Sequence, residues 1–341
     1  MKVIRYLILV VTTRCNLQCR YCYNGEICYT TDMPENILRQ ALEIVGEGKS
    51  PIHIQITGGE PALVPNKIDV ILESVRKKLA RPYTVGIQTN GTLISPDLAK
   101  KFKMYGVQVG ISLDGPPGIN EVLRGKTGAT LRGMAILEHY RVPFWITTVV
   151  TAQNLPFLDK LAYMLAGFKE VKGIGLDLLV RKGRAFSSSE IALPEPNELR
   201  KSVKSFLMAL DEINRRRSVP IVLREREKLK KALAGFRQSF FCHASKGESM
   251  AVMPDGSIFP CGQTAGDPKF FAGTVWNFDR EKLGSLGSFR VSESVCKDCS
   301  LEKVCPGDCP SRVTYNGQDA NLICSIYRVI SEVMSQKGSF K

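Results

Sequence analysis

The stretch Thr12-Thr13-Arg14-Cys15-Asn16-Leu17-Gln18-Cys19-Arg20-Tyr21-Cys22 contains three cysteines in the spacing C-x3-C-x2-C. Three thiolates are one fewer than the irons of a [4Fe–4S] cluster, so the loop predicts a cluster whose fourth iron can bind a small molecule. Zinc is the weaker interpretation, because zinc sites usually pair C-x2-C units or add histidines, and no histidine lies near this loop. The loop therefore indicates a reactive iron–sulfur site.

The bulk composition indicates a globular chain with a packed core. The chain has 341 residues, of which 44% are hydrophobic, enough for one large domain and a smaller one. No run of about 18 apolar residues occurs, so no membrane partner is expected. The apolar run at 6–11 is too short for a secretory signal, and we expect a cytoplasmic protein.

The eleven cysteines fall into two groups, and this pattern favours metal ligands over disulfides in a cytoplasmic protein. Between residues 23 and 241 the only cysteine is Cys28. The sequence therefore predicts two cluster-binding modules. The front group is Cys15, Cys19, Cys22 and Cys28, and the back group is Cys242, Cys261, Cys296, Cys299, Cys305, Cys309 and Cys324.

The charge balance is basic, with 47 Lys and Arg against 33 Asp and Glu and a formal net charge of +14. Part of this excess lies in helix-like stretches at 215–217 and 224–231, which is typical of solvated helix faces. A basic surface also suits an acidic electron donor. No basic motif is interleaved with aromatic residues, so no nucleic-acid partner is expected.

Strand-like and helix-like segments alternate through the first 180 residues, which predicts right-handed crossovers and a parallel sheet. We expect an α/β fold with a partial (β/α)6 TIM-like barrel at 1–184, a helical connector at 185–241 and a Cys-rich domain at 242–341. The expected strands are 6–12, 53–57, 85–89, 107–113, 144–150 and 174–180.

The polar motifs come directly after these strands. In a barrel such positions gather on one face, where active sites are built. The motifs are the cysteine loop, Thr57-Gly58-Gly59-Glu60-Pro61, Gln88-Thr89-Asn90-Gly91, Ser112-Leu113-Asp114-Gly115 and Arg181-Lys182-Gly183-Arg184.

Together these motifs resemble the radical S-adenosylmethionine (SAM) enzymes. The back half resembles their C-terminal SPASM domain, through Cys242-x13-Gly256-x4-Cys261 and Cys296-x2-Cys299-x5-Cys305-x3-Cys309-x14-Cys324. The resemblance covers nearly the whole chain. It implies that the open iron chelates the amino and carboxylate groups of SAM, and that an added electron then yields a 5′-deoxyadenosyl radical.

The resemblance also implies particular cofactor contacts. The turn Gly58-Gly59-Glu60 would receive the methionine amino group, Ser112 would contact the ribose or carboxylate region, and Arg124 would pair with the carboxylate. Tyr21 would lie against the adenine through its backbone. The full set of implied SAM contacts is Tyr21, Gly58, Gly59, Glu60, Asn90, Ser112, Arg124 and Leu179; no catalytic side chain is assigned.

For the back cysteines, the resemblance implies two auxiliary [4Fe–4S] clusters, which makes three with the cluster of Cys15, Cys19 and Cys22. No fourth near-cluster cysteine occurs at 236–241. We hypothesise an open iron there, with Cys28 as an inert thiol, a substrate-side thiol or the missing ligand. The distal set is Cys296, Cys299, Cys305 and Cys324, and the near set is Cys242, Cys261 and Cys309.

The resemblance implies an oxygen-sensitive enzyme that modifies a peptide or small-protein side chain and draws electrons from a ferredoxin or flavodoxin. Thioether formation, carbon–carbon crosslinking, oxidation and epimerisation remain open. Gly262 follows Cys261 where sulfatase-maturing relatives carry an acid, so sulfatase maturation is not expected. The alternatives are an enzyme acting on a small metabolite, such as a tetrapyrrole or cofactor precursor, and a non-catalytic electron carrier.

Overall fold

Six parallel strands lie side by side in chain order, which confirms the expected α/β architecture. The computed structural model describes residues 3–25, 30–46, 49–236, 240–291, 293–297, 299–305, 307–317 and 321–336. The strands are β1 (Tyr6–Val10), β2 (Ile52–Thr57), β3 (Tyr83–Thr89), β4 (Gln108–Ser112), β5 (Phe144–Val150), β6 (Val171–Leu178), β7 (Val222–Leu223), β8 (Ser249–Val252), β9 (Ser257–Phe259), β10 (Gly273–Thr274) and β11 (Asn277–Phe278).

Helices follow the central strands and cover the sheet. The α-helices are α1 (Glu35–Gly46), α2 (Pro65–Lys78), α3 (Pro96–Met104), α4 (Pro117–Leu123), α5 (Thr127–His139), α6 (Leu158–Leu165), α7 (Arg184–Ser187), α8 (Pro196–Arg216), α9 (Arg224–Leu233), α10 (His243–Lys246), α11 (Glu293–Cys296), α12 (Pro310–Asn316) and α13 (Leu322–Gln336). Short 3-10 helices occur at Pro61–Leu63, Leu155–Phe157, Gly262–Thr264, Pro268–Phe270 and Lys282–Ser288.

Helix α1 forms for the reason that its sequence pattern predicts. Its apolar residues recur three and four positions apart, which places them on one helix face. That face is buried against the sheet, and its members are Ile37, Leu38, Ala41, Leu42 and Val45.

Helix α3 begins at a capped position. The Ser95 hydroxyl accepts a hydrogen bond of 3.2 Å from the Leu98 amide, and Pro96 occupies the first helical position. Both features satisfy or remove amide donors that a helix start leaves without an intrahelical partner.

The sheet is larger than the six strands that the sequence predicts. Strand β7 pairs parallel with β6, and β8 pairs parallel with β1, where Tyr6 stands opposite Ser249. Strands β9, β10 and β11 then continue as antiparallel neighbours, and the complete order is β11-β10-β9-β8-β1-β2-β3-β4-β5-β6-β7. The Cys-rich part is therefore hydrogen-bonded directly to the barrel strands.

The connector at 185–241 contributes a strand, β7, in addition to helices α8 and α9. Helix α8 packs against both α6 and α13, and so links the barrel to the C-terminal helix. The expected domain boundaries stay a prediction.

None of the helices in the described part of the chain is both long and apolar enough to cross a membrane.

Candidate active site at the carboxyl ends of the strands

A cavity of about 330 Å³ lies at the carboxyl ends of the barrel strands. All three cysteines of the C-x3-C-x2-C loop line it. Seven of the eight predicted SAM contacts line it too, and the eighth, Glu60, lies behind the wall. The seven are Tyr21, Gly58, Gly59, Asn90, Ser112, Arg124 and Leu179.

The cysteine loop is held by backbone and side-chain bonds from elsewhere in the barrel. Arg184 Nε donates to the Cys19 carbonyl oxygen at 2.9 Å, and the Arg184 amide donates to the Cys22 carbonyl oxygen at 3.0 Å. The Arg20 amide donates to the Leu123 carbonyl oxygen at 2.9 Å. These bonds hold a loop without regular structure in one conformation.

The glycine turn after β2 passes directly beneath this loop. The Gly59 amide donates to the Thr12 carbonyl oxygen at 2.8 Å, and the Glu60 amide donates to the Arg14 carbonyl oxygen at 2.8 Å. A Cβ at Gly58 would lie 2.5 Å from the Thr12 oxygen. Glycine is required here because the two backbones approach too closely for a side chain.

Glu60 is fully buried and its carboxylate braces the turn. Oε1 accepts hydrogen bonds from the Ala62 amide at 2.9 Å and the Thr89 hydroxyl at 2.6 Å, and Oε2 accepts one from the Asn90 amide at 2.7 Å. Burial raises the pKa of this carboxyl group, and the three donors act in the opposite direction. Its predicted contact with the methionine amino group stays a prediction.

Arg124 belongs to a buried polar group at the cavity wall. Its guanidinium donates to the Tyr21 hydroxyl and lies 3.5 Å from Asp114 Oδ2, and the Tyr21 hydroxyl donates to the same carboxylate. Asp114 has no exposed surface. Burial lowers the pKa of Arg124, but the neighbouring Tyr21, Cys19 and Asp114 raise it well above its ordinary value. Arg124 is therefore a fixed cation beside the cysteine loop.

Polar side chains on three adjacent strands form the cavity floor. Gln88 Nε2 donates to Ser112 Oγ at 2.9 Å, and Thr147 Oγ1 donates to Gln88 Oε1 at 3.4 Å. Ser112 thus has a fixed place between β3 and β5. Its predicted contact with SAM stays a prediction.

Asn90 joins the end of β3 to the cysteine loop. Its Nδ2 donates to Asn16 Oδ1 at 2.9 Å and lies 4.0 Å from Cys15 Sγ. Leu179 is buried just beyond the end of β6, where its carbonyl oxygen accepts a bond of 2.8 Å from Asn316 Nδ2. Both residues line the barrel cavity.

A second cavity, of about 220 Å³, lies in the Cys-rich part. The four cysteines assigned to the distal set all line it. Burial raises the pKa of the Cys324 thiol to about 11, with a further contribution from Cys305. The four residues are Cys296, Cys299, Cys305 and Cys324.

The near set consists of Cys242, Cys261 and Cys309. Burial raises the pKa of the Cys261 thiol to about 12, with further contributions from Cys309 and Cys242. Cys309 Sγ lies 3.7 Å from Gln263 Oε1, and Gln263 lines the barrel cavity. Cys28 lies outside the described residues.

The donor sets fit iron–sulfur clusters. All ten described cysteines have free thiols. Grouped buried thiols lose their protons readily when a cation compensates the charge, and cluster iron would do so. Within the described ranges, no three His, Cys, Asp or Glu side chains could share one metal ion. In a four-iron cluster each thiolate binds a different iron, so a cluster does not require that convergence.

The sequence patterns do not single out every residue that lines the barrel cavity, and Asp177, Arg224 and Gln263 are among those left out. The sequence does contain an indication that Asp177 belongs to a site, because it is the one charged residue in the apolar stretch 174–180. The sequence contains no such indication for Arg224, since it lies in a run of charges that is typical of a solvated helix. Gln263 reaches the barrel cavity only because β8 pairs with β1.

Residues 9–154 match the radical SAM superfamily. An uncharacterized protein from Methanocaldococcus jannaschii is 35% identical over 264 residues, which cover 75% of this chain and 84% of that protein. The chain belongs to the radical SAM superfamily. It is therefore an enzyme, and the family implies SAM and a [4Fe–4S] cluster as its cofactors.

Among the other relatives are two proteins whose names describe an activity. A cysteine-type anaerobic sulfatase-maturating enzyme from Clostridium novyi is 34% identical over 182 residues, 47% of this radical SAM chain and 47% of that protein. An AdoMet-dependent heme synthase from Methanosarcina barkeri is 32% identical over 197 residues, 53% and 52% of the two chains. The chain spans about half the length of these two relatives.

Solved structures support the same fold. Native anSMEcpe with bound AdoMet superposes with a TM-score of 0.80 at 24% identity, covering 98% of each chain. Streptococcus suis SuiB bound to precursor peptide SuiA gives a TM-score of 0.67 at 19% identity, over 91% of this chain and 72% of SuiB. The radical SAM α/β fold is confirmed, and the Cys-rich C-terminus is consistent with a SPASM domain.

Proposed function

We propose that this radical SAM enzyme abstracts a hydrogen atom from a peptide or small-protein side chain. The observation that carries the proposal is that Cys15, Cys19 and Cys22 share one cavity with the glycine turn and Arg124. A three-thiolate [4Fe–4S] cluster with bound SAM supplies a 5′-deoxyadenosyl radical in this family.

The side chains of the chain itself bind and orient SAM. We assign the carboxylate of SAM to Arg124, because its guanidinium is fixed by Tyr21 and Asp114 and can still reach the cavity. Backbone groups of Gly58 and Gly59 receive the methionine amino group. Glu60 acts by holding this turn, since its carboxylate already accepts three hydrogen bonds.

The remaining SAM contacts lie around the same cavity. Ser112 faces the ribose or carboxylate region, held by Gln88. Asn90, Leu179 and the backbone of Tyr21 enclose the adenine side. A preorganised site of this kind excludes water from the radical, which suppresses side reactions.

The peptide substrate class is supported by similar proteins. anSMEcpe has been solved with bound AdoMet and a Cp18Cys peptide, at a TM-score of 0.79, and SuiB with its precursor peptide. Gly262 follows Cys261, so this chain lacks the acid that the resemblance places there in sulfatase-maturing enzymes. We therefore propose a side-chain modification other than formylglycine formation.

Two auxiliary clusters are part of the proposal. Cys296, Cys299, Cys305 and Cys324 would hold the distal cluster, since they surround one cavity. The near cluster would have Cys242, Cys261 and Cys309 and an open iron. A ferredoxin or flavodoxin would supply electrons, for which the basic net charge of +14 is favourable.

The first experiment tests for SAM cleavage. Anaerobically reconstituted protein is incubated with SAM and dithionite, and 5′-deoxyadenosine is quantified. We expect its release, whereas a pure electron carrier would release none. Candidate peptides are then co-expressed with the protein, and a mass change in one of them identifies the substrate.

A small-metabolite substrate is the second candidate, and the 32% identity to an AdoMet-dependent heme synthase favours it. The same incubation with a carboxylate-rich tetrapyrrole separates the two candidates. Consumption of the tetrapyrrole with stoichiometric 5′-deoxyadenosine, together with unmodified peptides, would replace the peptide proposal.

A further inference from the structure

A series of paired charged side chains connects the barrel cavity with the Cys-rich cavity; Asp308 and Arg312 are buried, and Asp177 and Arg224 are partly exposed. Asp177 Oδ1 accepts a hydrogen bond of 2.8 Å from Arg224 Nη2 and lies 3.6 Å from Arg312 Nη1. Arg312 also donates from Nε to Asp308 Oδ1 at 2.9 Å. Asp177 and Arg224 line the barrel cavity, whereas Asp308 lines the distal one. Arg312 therefore contacts a carboxylate at each cavity.

At the barrel end of this series of charged residues, the surrounding structure accommodates the Arg224 side chain. Arg224 is further paired with Glu225, whose Oε1 accepts from Arg224 Nε at 2.8 Å. A Cβ at Gly175 would lie 2.6 Å from the Arg224 guanidinium carbon, so the glycine leaves room for the guanidinium. Lys228 is a third cation nearby. Burial lowers its pKa, and the positive charge of Arg224 lowers it further.

Asp308, at the other end of this series, lines the distal cavity and also contacts Cys309 of the near set. Asp308 Oδ1 also accepts a hydrogen bond of 2.5 Å from the Cys309 amide, which fixes the cysteine relative to Arg312. Arg312 is only 4% exposed, so water screens its charge weakly.

We propose that Arg312 sets the reduction potential of the cluster that Cys309 helps to hold, and that Asp177 weakens this effect from the barrel side. Reduction adds one electron, and hence one negative charge, beside a fixed guanidinium. The guanidinium stabilises the reduced cluster, while Asp177 neutralises part of the guanidinium charge. Arg312 is thus a positioning residue that links the barrel cavity to the near cluster. The inference rests on the near cluster of the proposed function.

The test is a potentiometric titration of reconstituted wild type, Arg312→Gln and Asp177→Asn, with the auxiliary clusters followed by electron paramagnetic resonance. At a fixed potential we expect about tenfold fewer reduced near clusters in Arg312→Gln, a shift of about 59 mV for one electron. Asp177→Asn shifts the potential in the positive direction. The opposite signs separate an electrostatic role from a structural one, because misfolding would not raise one potential and lower the other.

Two further variants make the result interpretable. Arg312→Lys keeps the charge and is expected to shift the potential less than Arg312→Gln. Arg328→Gln is the matched control, since Arg328 contacts Cys299 of the distal set, and it should change only the distal signal. If Arg312→Gln does not fold, Asp177→Asn still tests the proposal, because Asp308 keeps its pairing with Arg312.

An unchanged or more negative near-cluster potential in Asp177→Asn would overturn this inference and leave the proposed function intact. A wild type without any near-cluster signal would overturn both the inference and the proposed number of clusters. The wild-type spectrum and iron content distinguish these two results.

Discussion

The Glu60 carboxylate accepts a hydrogen bond of 2.7 Å from the backbone amide of Asn90, and so ties the turn after β2 to the end of β3. In Glu60→Gln, the NH2 group of the side-chain amide faces one of the three protein groups that donate hydrogen bonds to Glu60. We expect a loss of about 1–3 kcal/mol in the free energy of unfolding, because a buried donor is left without an acceptor. Urea unfolding of the anaerobic protein measures it.

The matched control for this prediction is Glu73→Gln on helix α2. Glu73 forms an exposed ion pair with Lys77 at 3.0 Å, and such pairs contribute little to stability. We expect a change within about 0.5 kcal/mol. Equal stabilities of the two variants would contradict the bracing role of Glu60.

The glycine turn gives a second prediction. A Cβ at Gly59 would lie 2.5 Å from the Arg14 carbonyl carbon, so Gly59→Ala must displace backbone beneath the cysteine loop. We expect a destabilisation of about 1–3 kcal/mol and weaker SAM binding. In the control Gly118→Ala, on helix α4, the added Cβ meets no atom within 4 Å, and stability should be retained. Thermal unfolding of both variants, with and without SAM, provides the comparison.

Arg124→Lys tests the assignment of the SAM carboxylate. A lysine keeps the positive charge near Asp114 but loses the planar fork of donors. Loss of one charge-assisted hydrogen bond, about 1.5–3 kcal/mol, corresponds to roughly ten- to hundredfold weaker SAM binding. The SAM dependence of 5′-deoxyadenosine release measures the effect.

Arg20→Lys is the control for that substitution. Arg20 lies in the cysteine loop itself, but both side chains of its pair with Glu190 are exposed. We expect the SAM dependence of this variant to equal that of the wild type. Weakening of similar size in both variants would indicate a general disturbance of the loop, and the role of Arg124 would then be refuted.

We expect the cysteines of the barrel cavity and those of the distal cavity to differ in their effect on SAM cleavage. Cys15→Ala removes one of the three proposed ligands in the barrel cavity, and Cys324→Ala removes one of the four proposed ligands in the distal cavity. Each variant should lose about four iron atoms per chain. Only Cys15→Ala is expected to abolish reductive cleavage of SAM, as measured by 5′-deoxyadenosine. Full SAM cleavage by Cys15→Ala would place the SAM-binding iron elsewhere.

Much of the barrel could be predicted from local sequence. Strand β5 (Phe144–Val150) occupies the predicted residues, and the other barrel strands differ from prediction by a few residues at their ends. Alternation of strand and helix patterns gives the parallel order, because crossovers in this architecture have one hand. The short strands β7 to β11 have too few residues for a periodic signal. Their pairing depends on contacts with strands far along the chain.

The candidate site divides in the same way. The cysteine spacings and the glycine turn are local patterns, and they identify the cysteines of both cavities and the glycines of the barrel cavity. The roles of individual polar groups are not local: Glu60 is predicted as a SAM contact, yet its carboxylate faces three protein donors.

The sequence by itself determined the family, the order of the six barrel strands and the residues of the cysteine loop, because each is written in short-range spacing. The tertiary structure alone decided that Arg124 meets Tyr21 across 103 residues of chain, and that Arg312 lies between Asp177 and Asp308. A charged side chain in a sequence pattern carries no sign of its partner. Partners are chosen when the chain closes over long distances and burial makes an unpaired charge too costly to keep.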